Sequence, residues 1–189
     1  MLRLHKIALM FVSAALIFVC PAFAGQDQDV EEPSGYRLSD YGGQVPLTVK
    51  GAQVIEEASE LQEFLENNDA VVLLDVYPAP RKPDNLPSTE LWIEPKRETL
   101  PEAIWLANTG MGVLPSALED LFKHRLDQLT RGDKGQAVVI FCEPECWHSW
   151  NAAKRAASLG YSHVYWYRQG VDGWRKAGLP LKEKEPVRP

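Results

Sequence analysis

Basic residues are the minority charge in this chain. Twenty Lys and Arg stand against 26 Asp and Glu, for a formal net charge of −6. That balance excludes a cationic nucleic-acid footprint, which needs a surplus of positive side chains on one face. Long apolar runs are also scarce. The stretch over 7–19 is too short to span a bilayer comfortably, and no second hydrophobic segment follows it. Cysteine is rarer still, with three in 189 residues, which excludes a disulfide-dense scaffold. Four His leave little material for a zinc site, and no His directly follows the second Cys of the close pair, which excludes a haem c attachment motif. Neither an internal repeat nor a low-complexity tract is present.

The amino end has the three-part layout of a secretory signal peptide. Arg3 and Lys6 precede the apolar stretch, and Ala22 and Ala24 flank a small-x-small cleavage site before Gly25. Residues 1–24 are therefore expected to be removed on export to the periplasm, taking His5 and Cys20 with them. The mature chain is expected to lack a membrane span. It is long enough for one domain with a substantial core and too short for two ordinary ones.

Residues 25–50 are acidic, then rich in Gly and Tyr without a sustained period, and read as a linker or a loosely docked arm. Regular patterning begins after them. A short strand is expected over 52–55. A helix capped by Ser59 should carry Leu61, Phe64 and Leu65 on its inner face. The continuous apolar run over 71–76 suits a strand covered on both faces. A proline-rich stretch follows, in which 91–93 could form a short strand. Residues 103–106 make a further strand candidate, and Pro115 opens a helix with Leu118, Leu121, Phe122, Leu126 and Leu129 at helical spacing. Strand 137–141, helix 149–159, strand 164–167 and a helix over 172–177 complete the pattern. Strands alternating with helices imply an α/β fold with a mostly parallel sheet and helices on both faces. In such sheets the site lies at the carboxyl ends of the strands.

One of those ends carries the run Phe-Cys-Glu-Pro-Glu-Cys-Trp-His at 141–148. Cys142 sits where a strand turns into a helix, a position whose backbone N–H groups favour a thiolate. Asp75 ends another strand nearby, either capping and positioning the cysteine loop or forming an ordinary turn. Four chemistries fit these residues. Cys142 could accept a sulfane sulfur, with Cys146 resolving the persulfide. The pair could cycle between dithiol and disulfide, or form a static disulfide that fastens the loop. Cys142, Cys146 and His148 could hold copper. Alternatively the domain could be a non-catalytic partner protein using Trp105, Trp147, Trp150 and Trp166, of which Trp105 and Trp166 suit the core and Trp147 a partly exposed position. The carboxylates Glu143 and Glu145 beside the sulfur should repel anions and raise the thiol pKa. Lys154 and Arg155 lie more than a helical turn away. No bound cofactor is called for.

Several segments resemble a rhodanese domain: Leu-Leu-Asp-Val at 73–76, Pro-Glu-Ala-Ile at 101–104, a Cys after the strand over 137–141, the stretch 159–165, and Gly170, Trp174 and Ala-Gly-Leu-Pro at 177–180. The resemblance implies a single rhodanese-like domain over 51–181 with a five-stranded sheet, followed by a tail over 182–189. It makes Cys142 the nucleophile and Glu143, Glu145, Trp147, His148 and Asp75 its surroundings. The loop departs from the rhodanese pattern in carrying no Arg. The run Cys-x-x-x-Cys-Trp with Ser-Trp-Asn-Ala-Ala-Lys-Arg-Ala at 149–156 is similar to a narrower group of exported proteins, the PQQ-dependent catabolism-associated CXXCW motif family. That similarity implies a small sulfur donor or a protein thiol as partner, and an association with a periplasmic quinoprotein dehydrogenase or its cytochrome.

Overall fold

The computed structural model describes residues 34–189; the signal-peptide reading of 1–24, with His5 and Cys20, lies outside the described residues. Seven strands and four helices run in the order β1 (Gln53–Ile55), α1 (Ala58–Asn67), β2 (Val72–Asp75), β3 (Arg97–Thr99), β4 (Ile104–Trp105), α2 (Ser116–Thr130), β5 (Val138–Phe141), α3 (Trp147–Ser158), β6 (Val164–Tyr167), α4 (Gly170–Lys176) and β7 (Lys182–Lys184).

Five strands form one parallel sheet in the order β1-β6-β5-β2-β4. Every residue of β2 and β5 is buried, as the uninterrupted apolar runs require of central strands. Side-chain alternation divides the core. Val72, Leu74, Val138, Ile140 and Trp166 face α2 and α3, meeting Phe122, Leu126, Ala152, Ala153 and Ala156. Leu73, Val139, Phe141 and Tyr167 face α1 and α4, meeting Leu61, Val171 and Trp174. Helices thus cover both faces. None among the described residues is long and apolar enough to cross a membrane.

Three expectations change at element boundaries. Ser59 lies inside α1; Glu57 occupies the cap position, and the Glu56 N–H donates to the Glu60 carboxylate at 3.0 Å. Residues 91–93 form no strand, and Leu91 and Ile93 are exposed. The strand in this stretch is instead β3, paired antiparallel with β7 in a separate two-stranded ribbon that takes in 182–184 of the tail. Its sequences, Arg-Glu-Thr and Lys-Glu-Lys, carry too little apolar alternation to mark a strand.

Residues 34–49 are not loosely held. The arm crosses the start of α3, where Asn151 exchanges two hydrogen bonds with the Arg37 backbone at 2.9 and 3.0 Å. Trp150 Nε1 donates to the Thr48 carbonyl at 2.9 Å. The arm then meets the cysteine loop edge to edge, with Gly42 and Cys146 as antiparallel bridge partners.

Candidate functional site

Register places the site. Asp75 pairs with Phe141 and Trp105, and Phe141 pairs with Tyr167, so the last residues of β2, β4, β5 and β6 form one row. Cys142 leaves the middle of that row and is fully buried. The loop 142–146 then returns on itself, and Cys142 and Cys146 are joined as a disulfide with Cα atoms 6.5 Å apart. Glu145 takes φ +51°, a left-handed conformation unusual for a residue with a side chain. The arm holds it there: Gly43 N–H donates to the Glu145 carbonyl at 3.0 Å, and Val45 N–H donates to its carboxylate at 3.2 Å.

Gly170 fixes the other side of the loop. It has φ +54°, and a Cβ at this position would run into the Cys142 carbonyl. That close approach lets Val171 N–H donate to the Cys142 carbonyl at 2.9 Å and Asp172 N–H to the Glu143 carboxylate at 3.1 Å.

The acidic loop is not left as a bare negative field. Arg97, projecting from β3, donates through Nε to Asp75 at 2.6 Å and through Nη2 to Glu143 at 2.8 Å. Its Nη2 also lies 3.4 Å from the Cys142 carbonyl, and its guanidinium stacks 4.1 Å from the Tyr77 ring centroid. Asp75 accepts a further hydrogen bond from Tyr77 N–H at 3.0 Å. Burial pushes the Asp75 and Glu143 carboxyls above the ordinary carboxylate range, while Arg97 pulls both back. Glu145 has its own cation, with Arg168 3.7 Å away. Arg97 is the residue that inspection of the loop misses, because it comes from a separate ribbon. Asp75 is the anchor of that arginine as well as the turn former.

Around Cys142 Sγ the side-chain contact is Ser149 Oγ, at 3.0 Å. The carbonyls of Cys146 and Glu143 lie at 3.5 and 3.7 Å. At the turn into α3, Trp147 N–H donates to the Tyr41 carbonyl of the arm at 2.8 Å. Ser149 also accepts from Trp166 Nε1 at 2.9 Å and lies 3.2 Å from the Cys146 carbonyl.

Trp147 is buried, contrary to the expected exposure, because α3 begins at Trp147 rather than at 149 and the arm lies over that turn. Its ring packs edge-to-face on Trp150 with centroids 5.2 Å apart, and the Arg37 guanidinium lies 5.4 Å from its centroid. Trp105, Trp150 and Trp166 are buried as well. The four tryptophans therefore present no open aromatic surface. His148 stacks on Tyr41 with ring centroids 4.2 Å apart. Burial holds its pKa down at about 4, opposed by a hydrogen bond to the Gly110 backbone. Among the described residues no group of three His, Cys, Asp or Glu is placed to hold a metal, so Cys142, Cys146 and His148 do not form the copper site their spacing allows. Lys154 Nζ lies 5.7 and 4.8 Å from the Tyr36 and Trp150 ring centroids. Arg155 donates to the Thr109, Met111 and Gly112 carbonyls at 2.7–3.1 Å.

The proline-rich stretch walls the row on the β2–β4 side. Tyr77, Pro78, Pro80, Pro95, Lys96, Arg97, Glu98, Trp105 and Arg175 line an open cleft of about 330 Å³. Arg97 separates this cleft from the cysteine loop.

Comparison with protein families matches residues 57–177 to the rhodanese-like domain. No curated protein matches the sequence. Among solved structures, a thiosulfate sulfurtransferase from Pseudomonas aeruginosa is similar at 20% identity and TM-score 0.48, covering 72% of this chain and 21% of its own. The chain therefore spans about a fifth of the length of that protein. A polysulfide-sulfur transferase homodimer from Wolinella succinogenes is similar at 20% identity and TM-score 0.43, covering 71% of this chain and 81% of its own.

Proposed function

Because the chain belongs to the rhodanese-like domain family, we propose that it is a thiol-dependent sulfur carrier or sulfurtransferase working through Cys142 and Cys146. The observation that carries this reading is the bonded pair at the carboxyl end of β5, with Arg97 paired to Glu143 and Asp75 and Arg168 beside Glu145. Arg97 supplies from outside the loop the positive charge that the loop itself lacks.

The cycle starts from the dithiol. Cys142 thiolate attacks the outer sulfur of a sulfane donor, and the donor's remaining fragment leaves with the electron pair of the broken sulfur–sulfur bond. Cys146 thiolate then attacks Sγ of the Cys142 persulfide. The disulfide forms, and the transferred sulfur leaves as hydrosulfide. Two equivalents of a thiol reduce the disulfide and restore the dithiol. Glu143 and Glu145 hold the loop through Arg97, Asp172 N–H, Val45 N–H and Arg168, and they do not touch the sulfur in this scheme.

We further place the chain with the PQQ-dependent catabolism-associated CXXCW proteins. Support comes from the signal-peptide pattern over 1–24 and the residues at 142–156. This reading makes it periplasmic, with the arm over 25–50 leading into one domain over 51–181. A quinoprotein dehydrogenase or its cytochrome is then the protein partner, and a small sulfane compound or a protein thiol the sulfur partner.

A second reading, dithiol–disulfide exchange without sulfane transfer, is favoured by the same bond. Intact mass separates the two. The reduced protein should gain one sulfur from thiosulfate or a polysulfide, and Cys142→Ser should not. Return to the disulfide mass without any sulfur adduct or released sulfide would discard sulfur transfer and leave thiol exchange.

A further inference from the structure

The two cysteines of the disulfide sit in different surroundings. Cys142 is fully buried, whereas Cys146 retains 8% exposure. Hydrogen-bond donors are distributed just as unevenly. Trp166 Nε1 can only donate, so the 2.9 Å bond to Ser149 uses an acceptor lone pair of the hydroxyl. The single Ser149 proton is left for one of two acceptors, the Cys146 carbonyl at 3.2 Å or Cys142 Sγ at 3.0 Å. A disulfide sulfur is a weak acceptor and a thiolate a strong one. The proton therefore sits on the carbonyl while the bond is intact and turns to Cys142 once that sulfur carries charge.

We propose that Ser149, oriented by Trp166, sets the direction in which the disulfide opens: an incoming thiolate attacks Cys146, and Cys142 is the sulfur released. The incoming sulfur bonds to Cys146 Sγ, the Cys142–Cys146 bond breaks, and its electron pair leaves on Cys142 as a thiolate that accepts the Ser149 hydroxyl proton in a hydrogen bond. A second thiol then removes the adduct from Cys146 as an ordinary disulfide, and Cys142 is left charged for sulfur acceptance. Ser149 is a positioning residue here, acting through the leaving sulfur. The inference rests on the proposed use of the pair, but it concerns the reductive entry to the cycle rather than sulfane transfer.

The oxidised full-length mature protein is treated with one equivalent of glutathione, quenched with acid, and the adduct located by peptide mass mapping. Glutathione is expected on Cys146. Ser149→Ala should slow adduct formation by about tenfold or more, the worth of one hydrogen bond to a charged group, and Ser149→Thr should restore it. In a Cys146→Ser background, Ser149→Ala should also raise the pH at which thiolate absorbance of Cys142 appears, and Ser149→Thr should lower it again. Glutathione on Cys142, or on neither cysteine, overturns the proposal. So does a Ser149→Ala protein that folds, judged by circular dichroism, and reacts at the wild-type rate. If Ser149→Ala does not fold, the adduct site in the wild type and the Ser149→Thr rate decide the matter. Sulfur uptake from thiosulfate is scored separately, so the opening direction can hold where sulfur transfer fails, and the reverse.

Discussion

Arg97 and Glu143 meet across 46 positions of sequence, Nη2 to Oε1 at 2.8 Å, and the same guanidinium holds the fully buried Asp75 at 2.6 Å. One side chain from a peripheral ribbon thus ties the end of β2 to the start of the cysteine loop. Removing one partner of a buried ion pair leaves an uncompensated charge, which costs more than the intact pair contributes. Arg97→Ala is expected to destabilise the fold by about 3 kcal/mol or more. Adding Asp75→Asn should recover part of that loss, because the amide leaves no buried charge. Urea denaturation of the three proteins checks this, and an Arg97→Ala protein as stable as wild type would contradict it.

His148 makes stability depend on pH. Its pKa falls from 6.5 to about 4 on burial, so between those values the unfolded chain binds the proton more readily than the folded one. Stability is therefore complete above the unfolded pKa and declines as pH falls toward 4. The linked loss is at most roughly 3 kcal/mol. His148→Phe keeps a ring against Tyr41 and should flatten the profile in this window. Denaturation midpoints measured from pH 7 to pH 4 would show it.

The arm lies against the cysteine loop. Tyr41 gives its carbonyl to Trp147 N–H at 2.8 Å and its hydroxyl to Gly112 N–H at 3.1 Å, besides stacking on His148. Tyr41→Ala should loosen the arm, shift Trp fluorescence to the red as Trp147 meets water, and speed reduction of the disulfide by about tenfold, equivalent to roughly 1.4 kcal/mol of lost closure. Unchanged reduction kinetics in this variant would show that the arm is not a barrier.

Gly170→Ala combines a left-handed backbone with a Cβ driven into the Cys142 carbonyl. The loop must shift or α4 must withdraw its N–H groups. The expected cost is about 2 kcal/mol or more, with slower sulfur uptake in the folded fraction. Calorimetry and the mass assay read the two effects independently.

The architecture was legible where burial leaves a run or a period. β5 shows as an unbroken apolar stretch, β2 as one closed by Asp75, β6 as 164–167 without error, and α2 as a helical stripe behind Pro115. Cys142 as the end of a central strand followed directly. Residues that act through long-range backbone or charge contacts were not legible. Arg97 lies among prolines and charges that look like any surface loop, and only the β3–β7 pairing aims it at Asp75. Trp147 was misplaced because its burial depends on an arm about a hundred positions away whose Gly-rich sequence has no period. Ser149 was visible only as part of a helix, since its role comes from Trp166 on the neighbouring strand.

The Gly42–Cys146 bridge also bears on the order of events in folding. A chain is made from its amino end, so residues 41–45 exist well before 145–147 do. The arm has nothing to pair with until β5, the loop and the first turn of α3 are in place, so its closure over this site cannot precede theirs. Both sulfurs consequently pass through a stage at which the arm covers neither. Whatever first oxidises or charges them meets a more open molecule than the finished one.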